Sequence, residues 1–303
     1  MIKNLVLATL VLLSTQSYGQ GNTLIEQINF YADVTATAGL ATTRTEANTV
    51  LTAKFEEWIS SEQFDDEALD DFTYMSVKRP ADRSFAIVTW QLINAEEAHE
   101  YSGYIITKDG KVTKLSSQPV DNPRDFVYET LGVDQWYGAL YYNIMETKYD
   151  GQQAYLLFGY NGHEGFEHRK VLDVLRFRDS EVVFGAELFK KEPTTPNQRP
   201  EIYTRVLLEY SSDANVSINY NEGLGMITAD HLISRMGRNP GQGPTMVPDG
   251  SYIGYKWDGT YWNYVDKIYD QVSQVPPTDG RKKESNKTII GTEKVKRETK
   301  KRD

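Results

Sequence analysis

Three Asp-Gly dipeptides, at 109–110, 150–151 and 258–259, stand between segments that read as pairs of strands. Asp-Gly favours the tight turns of β-hairpins because these residues adopt positive φ at small steric cost. At 109–110 the dipeptide predicts a type I′ turn. Such units predict antiparallel strands joined by short turns.

The same arrangement of two strands around a turn recurs along most of the chain. Further turns are predicted around 178–180 and near 212–214. Together with the three Asp-Gly units they predict a succession of hairpins along the chain. The segment 84–92 is apolar on both faces, which predicts a central or sandwiched strand. We expect a mainly β fold, an antiparallel meander that closes as a sandwich, a barrel or an irregular propeller.

The N-terminal part, from about residue 22 to 62, has a helical pattern instead. One apolar face follows the i, i+4, i+7, i+8 spacing of a helix and consists of Leu51, Phe55, Trp58 and Ile59. Thr43 and Glu46 are spaced as a capping box ahead of this face. We expect two helices, or one helix broken near Gly39, packed on the sheet.

The two ends of the chain differ from the segment between them. Residues 1–19 combine a basic residue, a short apolar run and a small-residue ending, which predicts a cleavable export signal. Residues 275–303 are rich in charge and poor in bulk, which predicts a basic disordered tail. We expect 20–274 to form a single mainly-β globular domain without a transmembrane span, located in the periplasm or outside the cell.

Cysteine content and charge restrict the chemistry. The chain has no Cys, so it has neither disulfides nor a thiolate nucleophile. Residues 281–303 hold ten Lys and Arg against four Asp and Glu, a net +6, whereas residues 20–280 carry −17. This acidic body argues against nucleic acid as the ligand. The tail either binds anionic envelope polymers through salt-sensitive attraction or serves only to keep the protein soluble.

The segment NGHEGFEHRK, residues 161–170, contains two of the four histidines. A helical H-E-x-x-H zinc site needs its two imidazoles four residues apart. His163 and His168 are five apart and lie among Gly and Asn residues typical of a loop. We expect a solvated hairpin loop and no metal or other cofactor, with His163 and His168 as the candidate ligands if a cation binds here.

The densest aromatic cluster is GYKWDGTYWNYVDKIY, residues 254–269. Trp257 and Tyr261 are predicted to pair across the turn, with Trp262 as a second indole and Asp258 as a polar contact. If exposed, this cluster would suit stacking on a sugar ring or anchoring a protein partner. If it faces inward, it would fill the core of the sheet instead.

Other candidate sites lack part of the pattern they need. Asp230 beside His231 would orient a general base, but no nucleophile motif accompanies the pair, and Ser251 is one position off the G-x-S-x-G pattern. The glycine-rich segment 237–246 lacks the Gly-Lys-Ser/Thr ending of a phosphate loop and predicts a long surface loop.

These features predict an exported, non-catalytic binding or scaffolding protein of the cell envelope. The expected partner is a glycan or an envelope protein, contacted through Trp257, Asp258, Tyr261 and Trp262. One alternative is a hydrolase of envelope polysaccharide or peptide that acts through carboxylates. Another is a structural subunit with a broad apolar patch.

Overall fold

A pair of helices and three β-sheets form successive layers in the computed structural model, which describes residues 23–62, 64–117, 123–163, 165–179 and 181–268. The helices are α1 Leu24–Thr37, α2 Ala41–Ile59 and the short α3 Pro123–Phe126. The predicted export signal (1–19) and the predicted tail (275–303) lie outside the described residues.

The first sheet has the order β1-β2-β3-β4 and consists of β1 Ser76–Lys78, β2 Phe85–Ile93, β3 His99–Thr107 and β4 Val112–Ser116. The central sheet has the order β11-β7-β6-β5, with β8 paired to β7; its strands are β5 Leu140–Tyr149, β6 Gln152–Asn161, β7 Glu167–Arg178, β8 Glu181–Phe184 and β11 Val206–Ser211. The third sheet has the order β10-β9-β15-β14-β13-β12; its strands are β9 Phe189–Lys191, β10 Glu201–Tyr203, β12 Ile218–Asn221, β13 Met226–Met236, β14 Pro244–Trp257 and β15 Trp262–Val265.

The layers are held together because strands in the first and central sheets bury both faces. In β2, Phe85 and Ile87 pack against the central sheet. The intervening residues Ala86 and Val88 pack against the helices, as the two-residue period of a strand requires. The prediction of a sandwiched strand at 84–92 is confirmed.

The central sheet repeats this arrangement one layer further on. In β6, Tyr155 and Leu157 face the first sheet, whereas Leu156 and Phe158 face the third sheet. The predicted mainly β, antiparallel fold is confirmed, with the sheets stacked as in a sandwich. In the described part of the chain none of the three sheets closes on itself.

The predicted pair of helices at the N-terminus is confirmed, with the break at Gly39. The predicted apolar face of α2 is buried against the first sheet. Phe55 is central to this contact, since its ring lies 5.6 Å from that of Trp90 and 5.1 Å from that of Tyr104. No helix among the described residues has the length and apolarity needed to cross a membrane.

The capping box lies at the first helix, not the second. Glu26 N donates to Thr23 Oγ1 at 3.2 Å, and Thr23 N donates to Glu26 Oε2 at 2.8 Å. The box predicted at Thr43 and Glu46 is wrong, because α2 has already begun two residues before Thr43. It follows Leu40, whose side chain offers no hydrogen-bond acceptor.

The predicted turns are only partly confirmed. At 150–151 both residues have positive φ, 49° and 74°, as a type I′ turn requires. At 109–110 the predicted type I′ turn is wrong, because a positive φ, 83°, occurs at Gly110 and not at Asp109. Gly110 N donates to Thr107 O at 2.8 Å, so the loop is one residue longer than a two-residue type I′ turn. A loop of this length needs positive φ at its last residue alone.

The hairpin predicted near 212–214 is wrong, because its two strands belong to different sheets. Strand β11 pairs with β7 in the central sheet, and β12 pairs with β13 in the third sheet. The chain changes layer at this point. It then forms a long hairpin, β13–β14, whose loop is 237–243.

A buried ion pair links the central sheet to the segment that follows α3. Arg205 Nε lies 3.1 Å from Asp173 Oδ1, and the two side chains are 0% and 1% exposed. Arg205 Nη1 also donates to the carbonyl oxygens of Phe126 and Glu129. Burial raises the pKa of Asp173, although the charge of Arg205 opposes that effect.

Candidate functional site

All four residues predicted for binding lie in or beside the β14–β15 turn, which we call the aromatic turn (residues 257–263). Asp258 fixes its shape. Asp258 Oδ1 accepts hydrogen bonds from the backbone N of Thr260 and Tyr261, both at 2.8 Å, and Oδ2 accepts one from Asn263 Nδ2 at 2.7 Å. These hydrogen bonds lower the pKa of Asp258, and the bond from Tyr261 N has the largest effect.

The two tryptophans of the aromatic turn face the core. Trp257 lies directly opposite Trp262, with ring centroids 5.4 Å apart. Trp262 is 5% exposed, and its Nε1 donates to Thr147 Oγ1 of the central sheet at 3.2 Å. The predicted pairing of Trp257 with Tyr261 is wrong, because the register joins Trp257 to Trp262 instead.

Tyr261 is half-buried and lies on the opposite, outer side of the third sheet. Lys190 Nζ lies 5.8 Å from the centroid of its ring, and Lys190 is itself paired with Glu192. Asn263 shares this side, since it is two residues from Tyr261 along the chain and directly opposite the exposed Lys256. The aromatic turn therefore presents one tyrosine ring bordered by polar groups.

The predicted candidate ligands His163 and His168 lie near a third histidine, His99 of β3. His99 N donates to His163 O at 3.0 Å, and the rings of His99 and His168 are 6.5 Å apart. His168 Nδ1 donates to Gly162 O at 3.0 Å, and His99 Nδ1 lies 3.1 Å from Gln91 Oε1. Sequence reasoning missed His99, which is more than sixty residues away along the chain and carries no motif.

These histidines form a packed, partly buried cluster. Burial and then the charges of His168 and His163 lower the pKa of His99 to about 4. In the ranges that the structure describes, no group of three or more His, Asp or Glu side chains is arranged to hold a metal ion. The role of His163 and His168 as ligands stays a prediction.

The neighbours Asp230 and His231 have different partners. Asp230 Oδ2 accepts hydrogen bonds from Ser217 N and Oγ, at 2.6 and 2.8 Å. A β-bulge in β14 lies opposite His231, whose Nδ1 is 3.0 Å from Asp249 Oδ2. The suggested Asp230–His231 pair is therefore wrong. The two residues are consecutive in β13, and Asp230 bonds to Ser217 whereas His231 bonds to Asp249.

Asp249 lies between a histidine and a serine. Its Oδ1 accepts from Ser251 N at 2.9 Å and from Ser251 Oγ at 2.7 Å. These bonds, followed by the contact with His231, lower the pKa of Asp249 to about 2. In a hydrolytic triad the imidazole lies between the carboxylate and the hydroxyl. Here the carboxylate occupies the middle, so His231 does not activate Ser251.

A cavity of about 210 Å³ lies at the far end of the β13–β14 hairpin, and we call it the hairpin pocket. It is lined by Ser211, Asp213, Ala214, Arg235, Met236, Gly237, Arg238, Thr245, Val247 and Pro248. Arg235 and Thr245 are opposite one another in the hairpin, so their side chains share a face. The glycine-rich segment 237–246 was the signal of this site in the sequence, although its pattern indicated a loop and not a pocket.

The loop of the hairpin is held against the central sheet. Gln242 Nε2 donates to Ser211 Oγ at 3.3 Å and to Phe166 O at 3.4 Å. Ser212 N also donates to Phe166 O, at 2.8 Å. The pocket is thus built where two layers meet, from residues that are far apart in sequence.

Comparisons with protein-family models, with curated proteins and with solved structures give no match for this chain.

Proposed function

We propose that this chain is an exported, non-catalytic binding module of the cell envelope that recognises a glycan through the aromatic turn. The observation that carries this proposal is the position of Tyr261 on the outer side of the third sheet, beside Lys190 and Asn263. A tyrosine ring supplies a flat apolar surface for a sugar ring. The Lys190 ammonium donates hydrogen bonds to hydroxyls, and the Asn263 side-chain oxygen accepts them, since the Asn263 amide N–H groups donate to Asp258 Oδ2 and Tyr261 O.

The rigidity of the turn supports this proposal. Two backbone N–H groups and the Asn263 side chain donate to Asp258, and the Trp257–Trp262 pair anchors the turn in the core. A platform that is already ordered loses little conformational entropy on binding. Each carboxylate oxygen accepts two hydrogen bonds, so Asp258 Oδ2 retains acceptor capacity for a sugar hydroxyl.

The test is binding of the purified protein to a panel of soluble envelope polysaccharides, measured by calorimetry. Replacement Tyr261→Ala is expected to weaken binding about fivefold, the equivalent of one aromatic contact. Tyr74→Ala is the matched control, since Tyr74 is 57% exposed on another part of the surface. Binding that is absent for every polysaccharide, or that falls equally in both variants, would contradict the proposal.

Export is supported by the composition of residues 1–19. N-terminal sequencing of the protein from its native cells is expected to start near Gln20. A chain that starts at Met1 would refute export by a cleaved signal. The contact of the basic tail with anionic envelope polymers also stays a proposal, and such binding is expected to fall steeply as salt concentration rises.

A further inference from the structure

The hairpin pocket holds positive charge that the protein does not neutralise. Arg235 and Arg238 line it and are exposed, and neither guanidinium has an ion-pair or hydrogen-bond partner among the described residues. Asp213 also lines the pocket, but its carboxylate forms no ion pair with either arginine in the described part of the chain. The lining therefore carries two separate positive charges and one negative charge.

The lining also contains an uncharged hydroxyl group that can still form a hydrogen bond. Thr245 is 4% exposed, and its Oγ1 has no hydrogen-bond partner within the described residues. A buried hydroxyl without a partner costs about 1–3 kcal/mol, and a ligand that accepts its hydrogen bond would offset that cost. Thr245 lies opposite Arg235 on the same face of the hairpin, which places a hydroxyl donor beside a guanidinium.

The charge of the rest of the molecule makes this arrangement unusual. Residues 20–280 carry a net charge of −17. A protein with this excess of carboxylates has many groups that would neutralise an arginine. At this pocket, however, no carboxylate of the described residues lies within ion-pairing distance of Arg235 or Arg238. Guanidinium groups bind carboxylate and phosphate oxygens through paired hydrogen bonds, and a hydroxyl donor adds a third contact.

We propose that the hairpin pocket binds the oxyanion group, a carboxylate or a phosphate, of a small ligand through Arg235, Arg238 and Thr245. A cavity of about 210 Å³ accommodates such a group with a few further atoms. The site is independent of the proposed glycan surface, because the hairpin pocket and the aromatic turn lie at opposite ends of the fourteen-residue strand β14. Failure of one proposal leaves the other unaffected.

The test is a titration of the purified protein followed by amide NMR, with inorganic phosphate and with acetate as separate probes at constant ionic strength. Saturable shifts are expected at the amides of 211–214 and 235–247 at concentrations up to the order of 50 mM. Recording shifts by residue separates this site from non-specific binding to the basic tail. Saturation by phosphate alone indicates a phosphate-bearing ligand, and saturation by acetate alone indicates a carboxylate-bearing one.

Two variants test the assigned residues. The double replacement Arg235→Gln and Arg238→Gln is expected to weaken binding about tenfold or more, whereas Arg199→Gln, at another exposed arginine, leaves it unchanged. Thr245→Val keeps both arginines and is expected to weaken binding about fivefold. The proposal is overturned if neither probe gives saturable shifts at the pocket, or if both variants titrate like the unmodified protein.

Discussion

The imidazole of His99 lies directly against the backbone of Gly162, so that a Cβ at residue 162 would overlap the ring. The glycine in the NGHEGFEHRK loop is therefore a packing requirement. It lets β3 and the loop between β6 and β7 approach closely enough for His99 N to donate to His163 O at 3.0 Å.

Replacement Gly162→Ala is expected to lower the free energy of unfolding by about 1–3 kcal/mol, the usual cost of overpacking a filled site. Urea denaturation at neutral pH measures this. The matched control is Gly132→Ala, because a Cβ there meets no atom within 4 Å and Gly132 has an extended backbone with φ −81°. Equal effects of the two replacements would show that the contact with His99 is unimportant.

Stability should fall as the solution is acidified from pH 7 toward pH 4. The pKa of His99 is about 4 in the folded protein, and an unfolded histidine has a pKa of about 6.5. Between these values the unfolded chain binds a proton that the folded chain does not, so the contribution is complete above about pH 6.5 and is lost as pH falls to about 4. Because the ring is partly exposed, we expect a loss of about 1–2 kcal/mol.

This acid sensitivity is measured by urea denaturation at a series of pH values. His99→Gln should reduce it, since glutamine does not titrate and carboxylates contribute equally to both proteins. His231→Gln is the control, because His231 lies outside the cluster of His99, His163 and His168 and bonds to Asp249 instead. If the pH profile of His99→Gln matches that of the unmodified protein, another group causes the loss.

Breaking the buried ion pair should be costly. Arg205→Met leaves the Asp173 carboxylate buried without its partner, which is expected to lower the free energy of unfolding by about 3–5 kcal/mol. Combining it with Asp173→Leu removes both charges and is expected to recover a large part of that loss. A double variant that is no more stable than Arg205→Met alone would contradict this expectation and show that Arg205 acts mainly through the Phe126 and Glu129 carbonyl oxygens.

Thr245→Val should leave the protein as stable as before or more stable by about 1 kcal/mol, because it removes a buried hydroxyl without a partner and keeps a β-branched side chain. Thermal unfolding measures this. Thr204→Val is the contrasting control, since Thr204 Oγ1 donates to the carbonyl oxygens of Val127 and Glu129. A stability loss at Thr245 equal to that at Thr204 would mean that its hydroxyl has a structural partner.

Local sequence patterns were sufficient to identify individual helices and strands. The two-residue period of 84–92 identified a strand buried on both faces, and the Leu51–Phe55–Trp58–Ile59 spacing identified the helix face that covers it. These predictions succeeded because each depends on the spacing of residues within a single strand or a single helix.

Local patterns did not predict which strands share a sheet or which side chains from distant segments come into contact. The link near 212–214 has the composition of a hairpin turn. However, β11 pairs with β7 in the central sheet, and β12 pairs with β13 in the third sheet. The same holds for His99, which joins His163 and His168 through strand packing, and for Ser211 and Thr245, which meet at the hairpin pocket. Contacts between distant segments depend on the whole core, so no local pattern encodes them.

The aromatic turn combines a feature that local sequence predicts with one that it does not. Its composition predicted a turn at 258–259 with aromatic residues around it, and the turn is there. The register, however, pairs Trp257 with Trp262 and not with Tyr261. A shift of one residue moves every side chain to the other face of a strand. That shift is why Trp262 lies in the core and Tyr261 on the outer surface of the protein.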